Sequence, residues 1–356
     1  MANRRPGTAV AVDAGPAAGR TRATEEIGPA PASVGFDWAM AVLSAVFVGG
    51  LFLDGWAHTH GKVDQSFFTP WHAVFYAGYG AVASALLASL LRNHALGRPW
   101  RRAVPPGYGL SLFGALIFAV GGVGDLVWHT LFGIEAGVEA LLSPTHLVLA
   151  LGMGLIVSGP VRATWQRPEP VSRWAAAGPM LLSLTSTLSV FTFFTEYAHP
   201  LVFAAAGAGH PYGGSEGLGV ASILLQTGML MGTVLVVVRF GALPVGALAL
   251  MVTLNAAAMG LLNFSGGYPV ALVVAAGAGG LSADVMQEVL RPTAERPGAW
   301  RIFAFVVPAL FYLCYFIALI LTEGIAWSVH LWAGSIMLAG LAGWLLSYLP
   351  VPPQSS

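Results

Sequence analysis

The chain has 356 residues, of which 56% are hydrophobic and 9% charged, and its formal net charge is zero. Soluble domains carry roughly 25% charged residues, so this composition excludes a soluble enzyme and a basic nucleic-acid-binding module and marks a protein whose first partner is the lipid bilayer. One cysteine, Cys314, excludes both an intrachain disulfide and a multi-thiolate metal cluster.

Residues 1–34 are rich in Ala, Gly, Pro and Arg and contain no apolar run. They read as a disordered cytoplasmic tail rather than a signal peptide. From residue 35 to 349 the sequence reads as a single transmembrane helical domain, with 350–356 as a cytoplasmic C-terminal tail. Apolar runs of the length that spans a bilayer as helix, about 20 residues, lie near 36–58, 70–91, 108–131, 144–164, 174–198, 217–239, 241–262, 268–290, 300–322 and 326–348. The expected fold is all-α and polytopic, with one helix per run and repeated helical hairpins.

On that reading every Arg falls on one side: in the N-terminal tail, in the loops after the second, fourth, sixth and eighth runs, and at Arg296 and Arg301. The positive-inside rule makes that side cytoplasmic and places both termini there, and the expected location is the plasma membrane. Of the 9 His residues, all but His94 then fall at or near the outer face, together with most of the acids.

Two stretches stand out at that face. Asp54-x3-His58 is followed by Thr69-Pro70-Trp71-His72, and Asp125-x3-His129 by Ser143-Pro144-Thr145-His146. The Asp residues are 71 positions apart and the last His residues 74. Residues i and i+4 share one face of a helix, so each Asp projects beside its His. Thr69 and Ser143 read as N-caps and Pro70 and Pro144 as N1 residues, which places His72 and His146 in the first turn of the returning helix. A helix N-terminus disfavours imidazolium, and neutral imidazole is the form that ligates metals.

Asp54, His58, His72, Asp125, His129 and His146 are therefore the expected metal ligands, as one site with a supporting shell or as two adjacent sites. Imidazole-rich, thiolate-free ligation favours copper, with zinc or iron as alternatives. A single Asp-x3-His would read as a solvated polar cap. The duplication, within otherwise apolar spans, shifts the reading to a site.

His60, Glu196, His199, Glu323 and His330 are secondary candidates, since acids also end the fifth and ninth runs. Glu135 and Glu139 form an i, i+4 acidic pair between His129 and His146. Gln226 and Asn255 read as interhelical hydrogen-bond groups, and Asp284 and Glu288 as an inner-boundary polar face.

The pattern Asp54-x3-His58-x13-His72, and again Asp125-x3-His129-x16-His146, resembles the Asp, His, His metal-binding constellation found in a membrane subunit of the particulate methane and ammonia monooxygenases. The resemblance covers these short stretches. It implies a copper site near the outer membrane face with the matched residues as ligands.

The leading functional reading is a membrane protein that binds a transition metal, copper favoured, at its extracytoplasmic face. As an enzyme it would be a metal-dependent, monooxygenase-like oxidoreductase acting on a small apolar substrate, alone or with a partner membrane subunit. Its alternatives are a zinc hydrolase, a metal- or proton-coupled transporter, a bis-His haem protein and a non-catalytic metal-handling protein.

Overall fold

The computed structural model describes residues 30, 33–62, 68–133, 135, 137–167, 173–209, 215–241, 243–262 and 268–352. The N-terminal stretch read as a tail lies almost wholly outside these residues, as does the end of the C-terminal one. The described chain is helical, with helices at each of the ten apolar runs: α1 (Val34–Thr59), α2 (Pro70–Ala95), α3 (Gly109–Phe132), α4 (Pro144–Trp165), α5 (Trp174–Phe194), α6 (Glu216–Val238), α7 (Ala247–Leu261), α8 (Tyr268–Leu290), α9 (Pro297–Thr322) and α10 (Val329–Leu346). Among the described residues nine of these are long and apolar enough to cross a membrane, and the protein is an all-α polytopic membrane protein.

The exception is α7. Its 15 residues rise only about 22 Å, against about 30 Å of hydrocarbon. The run at 241–262 suggested a full span, but Gly246, at φ 85°, holds a left-handed turn and the helix begins only at Ala247. The Asp284 carboxylate of α8 then accepts the N–H groups of Leu248 at 3.1 Å and Ala249 at 3.0 Å. Asp284 is thus a helix cap supplied by a neighbour. In α4, helix Pro144–Val157 gives way at Ser158 to Gly159–Trp165, where Pro160 removes a backbone donor.

Apolar side chains gain nothing by leaving lipid for one another, so membrane helices associate through close backbone approach and polar bonds. The first two hairpins show this position for position. A Cβ on Gly78 would sit 2.9 Å from the Cα of Phe47, and one on Gly50 2.9 Å from the Cα of Phe75, so α1 and α2 touch backbone to backbone. The second hairpin places Gly152 against Phe118 and Gly121 against Leu149 at the matching positions, keeping the sequence offsets of the Asp and His residues. The repeat is structural as well as chemical.

The α1–α2 and α3–α4 hairpins meet where α1 packs on α4 and where α2 packs on α3; at the latter contact the Tyr79 hydroxyl donates to the Ala115 carbonyl at 2.8 Å. They share a core around Phe47, Phe75, Phe118 and Met153, while α5 to α10 form a second core around Met231, Met251, Phe303 and Phe316. The helix between them, α5, gives Phe193 to the first and Leu184 to the second.

Away from the Asp/His end, Asp37 of α1 accepts bonds from the Tyr108 hydroxyl at 2.6 Å and from the Arg167 guanidinium. Arg162 donates to the Gly107 carbonyl, Ser158, Ser111 and the Leu155 carbonyl. These bonds lace the α1, α3 and α4 ends together.

Candidate metal centre

Each hairpin brings its three predicted ligands together at one end. In the first, Asp54, His58 and His72 each offer a ligand atom, and these atoms lie within 4.8 Å of one another; in the second, Asp125, His129 and His146 do the same. The two groups are separate clusters, which favours two neighbouring centres over a single four-imidazole site.

Local structure explains the convergence. Asp54 and His58 share a face of the last turns of α1, as Asp125 and His129 do on α3. The returning helices are capped as the sequence predicts. The Thr69 hydroxyl accepts the N–H of His72 at 3.1 Å, and the Ser143 hydroxyl that of His146 at 3.4 Å. The capping bond therefore ends on the ligand residue itself.

In the first centre Asp54 Oδ2 faces His72 Nε2 at 3.3 Å and His58 Nε2 at 3.8 Å. In the second, Asp125 Oδ1 faces His146 Nε2 at 3.1 Å and His129 Nε2 at 3.5 Å. Four-coordinate bonds of about 2.0–2.1 Å put neighbouring ligand atoms about 3.3 Å apart, close to these carboxylate–imidazole separations.

The proton inventory of the second centre is more telling. His146 Nδ1 lies against the Ala140 carbonyl, and His129 Nδ1 lies 3.1 Å from the Gly133 carbonyl and 3.4 Å from Glu135 Oε2. Those partners only accept, so each Nδ1 carries the ring proton. In the neutral imidazoles the two Nε2 lone pairs then face a carboxylate oxygen that is itself only an acceptor. A metal ion, or a second proton on an imidazole, would satisfy these atoms, and the group could hold a metal. The donor set is the one metal-ligating histidines use, with the outer nitrogen held by a carbonyl or carboxylate. The first centre adds a buried, unpartnered oxygen, Asp54 Oδ1.

Asp125 Oδ1 also accepts from Thr145 at 2.8 Å, and Glu135 is anchored by the Trp128 indole N–H. Where the second hairpin has Thr145 the first has Trp71, whose indole donates to the Lys62 carbonyl at 3.2 Å and meets Trp56 edge-on. Polar bonds therefore hold the second centre at a position where the first hairpin carries a tryptophan pair. His129 and His146 fall within electrostatic range of His58. Between them, one turn past His72, stands Tyr76, within range of both Asp54 and Asp125 and packed on Gly122 of α3.

The secondary candidates do not join either cluster among the described residues. His60 stacks on Trp56 and bonds the Trp56 carbonyl at 2.9 Å. His199 is buried and caps a short turn, its Nδ1 accepting from the Leu201 N–H at 3.2 Å. Glu323 lies against Gly207 and Gly209, where residues 206–208 bond to 324–326, and burial pushes its carboxyl up. Glu196 is pushed up to about 7 by burial. His330 is exposed at the start of α10, and Glu139 is exposed as well.

Tyr76, Thr145 and the closeness of Glu135 to His129 escaped the sequence reading. For Tyr76 a signal existed: it sits at i+4 from His72, on the face that carries the ligand. Comparison with known proteins gave no match: no protein-family model, no curated protein and no solved structure matches this chain.

Proposed function

We propose that this membrane protein holds transition-metal ions at two neighbouring Asp/His/His centres, one per hairpin, and that copper is the metal. The observation that carries the reading is the pair of Nε2 atoms aimed at one Asp125 oxygen while both Nδ1 atoms are held by acceptors, with the same Nε2–carboxylate arrangement repeated at Asp54. Imidazole and carboxylate without thiolate suit Cu, Zn and Fe, and divalent affinity for such ligands peaks at copper. The resemblance of the motif to the metal-binding stretch of the particulate monooxygenases favours the same metal.

Three protein ligands leave a coordination position open, which is the condition for chemistry rather than structural binding. Bound copper would supply oxidation chemistry with O2, and the helix environment would admit a small apolar substrate from the lipid side. Asp54 and Asp125 would hold the charge, the Gly133 carbonyl fixes the His129 ring, and the Glu135 carboxylate lies beside it. Tyr76 separates the centres. The arginine distribution supports a position for them at the outer face of the plasma membrane, with both termini inside. Elemental analysis of purified protein, with an electron paramagnetic resonance spectrum showing nitrogen ligation, tests this. Zinc in place of copper would redirect the reading to hydrolysis, and no stoichiometric metal would reject it.

A further inference from the structure

A cavity of about 30 Å³ lies among α5, α6, α7 and α9, outside both Asp/His clusters. By the same measure one water needs about 10–15 Å³, so the space holds about two or three non-hydrogen atoms. Its polar wall is formed by Thr192, His199, Gln226, Asn255 and Tyr312, all buried, and its apolar wall includes Leu230, Val252 and Phe311.

The hydrogen-bond roles on this wall are fixed by groups that can act only one way. The Leu201 N–H donates to His199 Nδ1, so the His199 proton is on Nε2. Gln226 Nε2 donates to the Ala198 carbonyl at 3.2 Å and to the Thr195 hydroxyl at 3.1 Å, which leaves Oε1 as the free end. Asn255 Nδ2 bonds Thr192 Oγ1 at 2.8 Å; that hydroxyl already donates to the Ser189 carbonyl, so Oδ1 of Asn255 is the free end. The Tyr312 hydroxyl is spent on the Ile223 carbonyl at 3.1 Å. Burial holds the His199 pKa down to about 3, so the ring is neutral.

What remains for an occupant is one N–H donor, His199 Nε2, and two amide oxygens, Gln226 Oε1 and Asn255 Oδ1, with no ionised side chain on the wall. We propose that this cavity is a binding site for a small uncharged molecule bearing one acceptor and at least one N–H or O–H donor, the class of short amides and alcohols. A cation or anion would lose its hydration for no counter-charge, and a molecule without a donor would leave two buried carbonyls unpaired. None of these residues belongs to the metal centres, so the cavity stands whether or not those centres bind metal.

Saturation-transfer NMR on the full chain in detergent tests it with three probes: formamide, acetonitrile of similar size without a donor, and formate. Saturable transfer to formamide alone is expected. That signal should be lost in Ala256→Leu, which fills the cavity without touching the polar wall, and in the milder Ala256→Val should fall or vanish; gel filtration and circular dichroism confirm that each variant is folded. Equal transfer to all three probes, transfer to formamide that persists in folded Ala256→Leu, or no saturable transfer in the parent protein would each overturn the proposal.

Discussion

His146 Nε2 stands 3.1 Å from Asp125 Oδ1, and the one ring proton of neutral His146 is committed on the opposite side, to the Ala140 carbonyl. His129 Nε2 lies 3.5 Å from the same oxygen. One bound cation would satisfy all three atoms at once, and its effects can be measured.

Glu135 lies 3.4 Å from His129 Nδ1 and has no counterpart in the first triad among the described residues. Replacing such an outer carboxylate typically weakens metal binding about 10–100-fold. Glu135→Gln should therefore weaken one of the two binding steps by at least about tenfold and leave the other in place. A competition titration with a chromophoric chelator resolves the two.

Thr69 and Ser143 cap α2 and α4 through the N–H of the ligand residue. Thr69→Ala and Ser143→Ala should each cost about 1 kcal/mol of stability. Each should also loosen metal binding in its own hairpin only. A thermal melt with and without metal separates the effects, since the bound metal stabilises the folded state by mass action.

Gly152 faces the backbone N of Phe118 so closely that a Cβ would sit 2.7 Å from it. Gly152→Leu should force α3 and α4 apart and abolish the Asp125 centre while the Asp54 centre still loads. Gly78→Leu should give the converse. Loss of both centres in either variant would show that the hairpins fold as one unit.

Burial pushes the Glu196 carboxyl up to about 7. An acid whose folded value lies above its unfolded one, about 4.3, stabilises the fold fully below the unfolded value, and that contribution is lost as pH rises through about 7. The midpoint of metal-free protein should therefore fall between about pH 4.5 and pH 7.5. Glu196→Gln should flatten that part of the profile relative to the parent chain. An unchanged profile would mean that Glu196 is solvated.

The ligands are legible in the sequence because period and capping rules carry them: i, i+4 for Asp-x3-His, and a capped Pro turn for the partner. The proximity of the two hairpins is not, because it depends on the packing of α1 on α4 and on the α2–α3 contact around Tyr79 and Ala115, which no local pattern encodes. The acids at Glu196 and Glu323 look like further members of the site because they recur at span ends, yet the fold turns them into their own loops. Hydropathy alone gives the run at 241–262 a full span, because it does not register Gly246 as a helix start or Asp284 as the cap of α7. His199, Gln226 and Asn255 are 56 positions apart at their extremes and meet only through the packing of α5, α6 and α7.

The most direct test is metal content per chain, measured by elemental analysis on protein reconstituted with copper, for the parent chain, Asp54→Asn, Asp125→Asn and the double variant. Two equivalents in the parent, one in each single variant and none in the double variant is the predicted result. Substoichiometric metal in the parent, or a content that neither substitution changes, would contradict the presence of two centres.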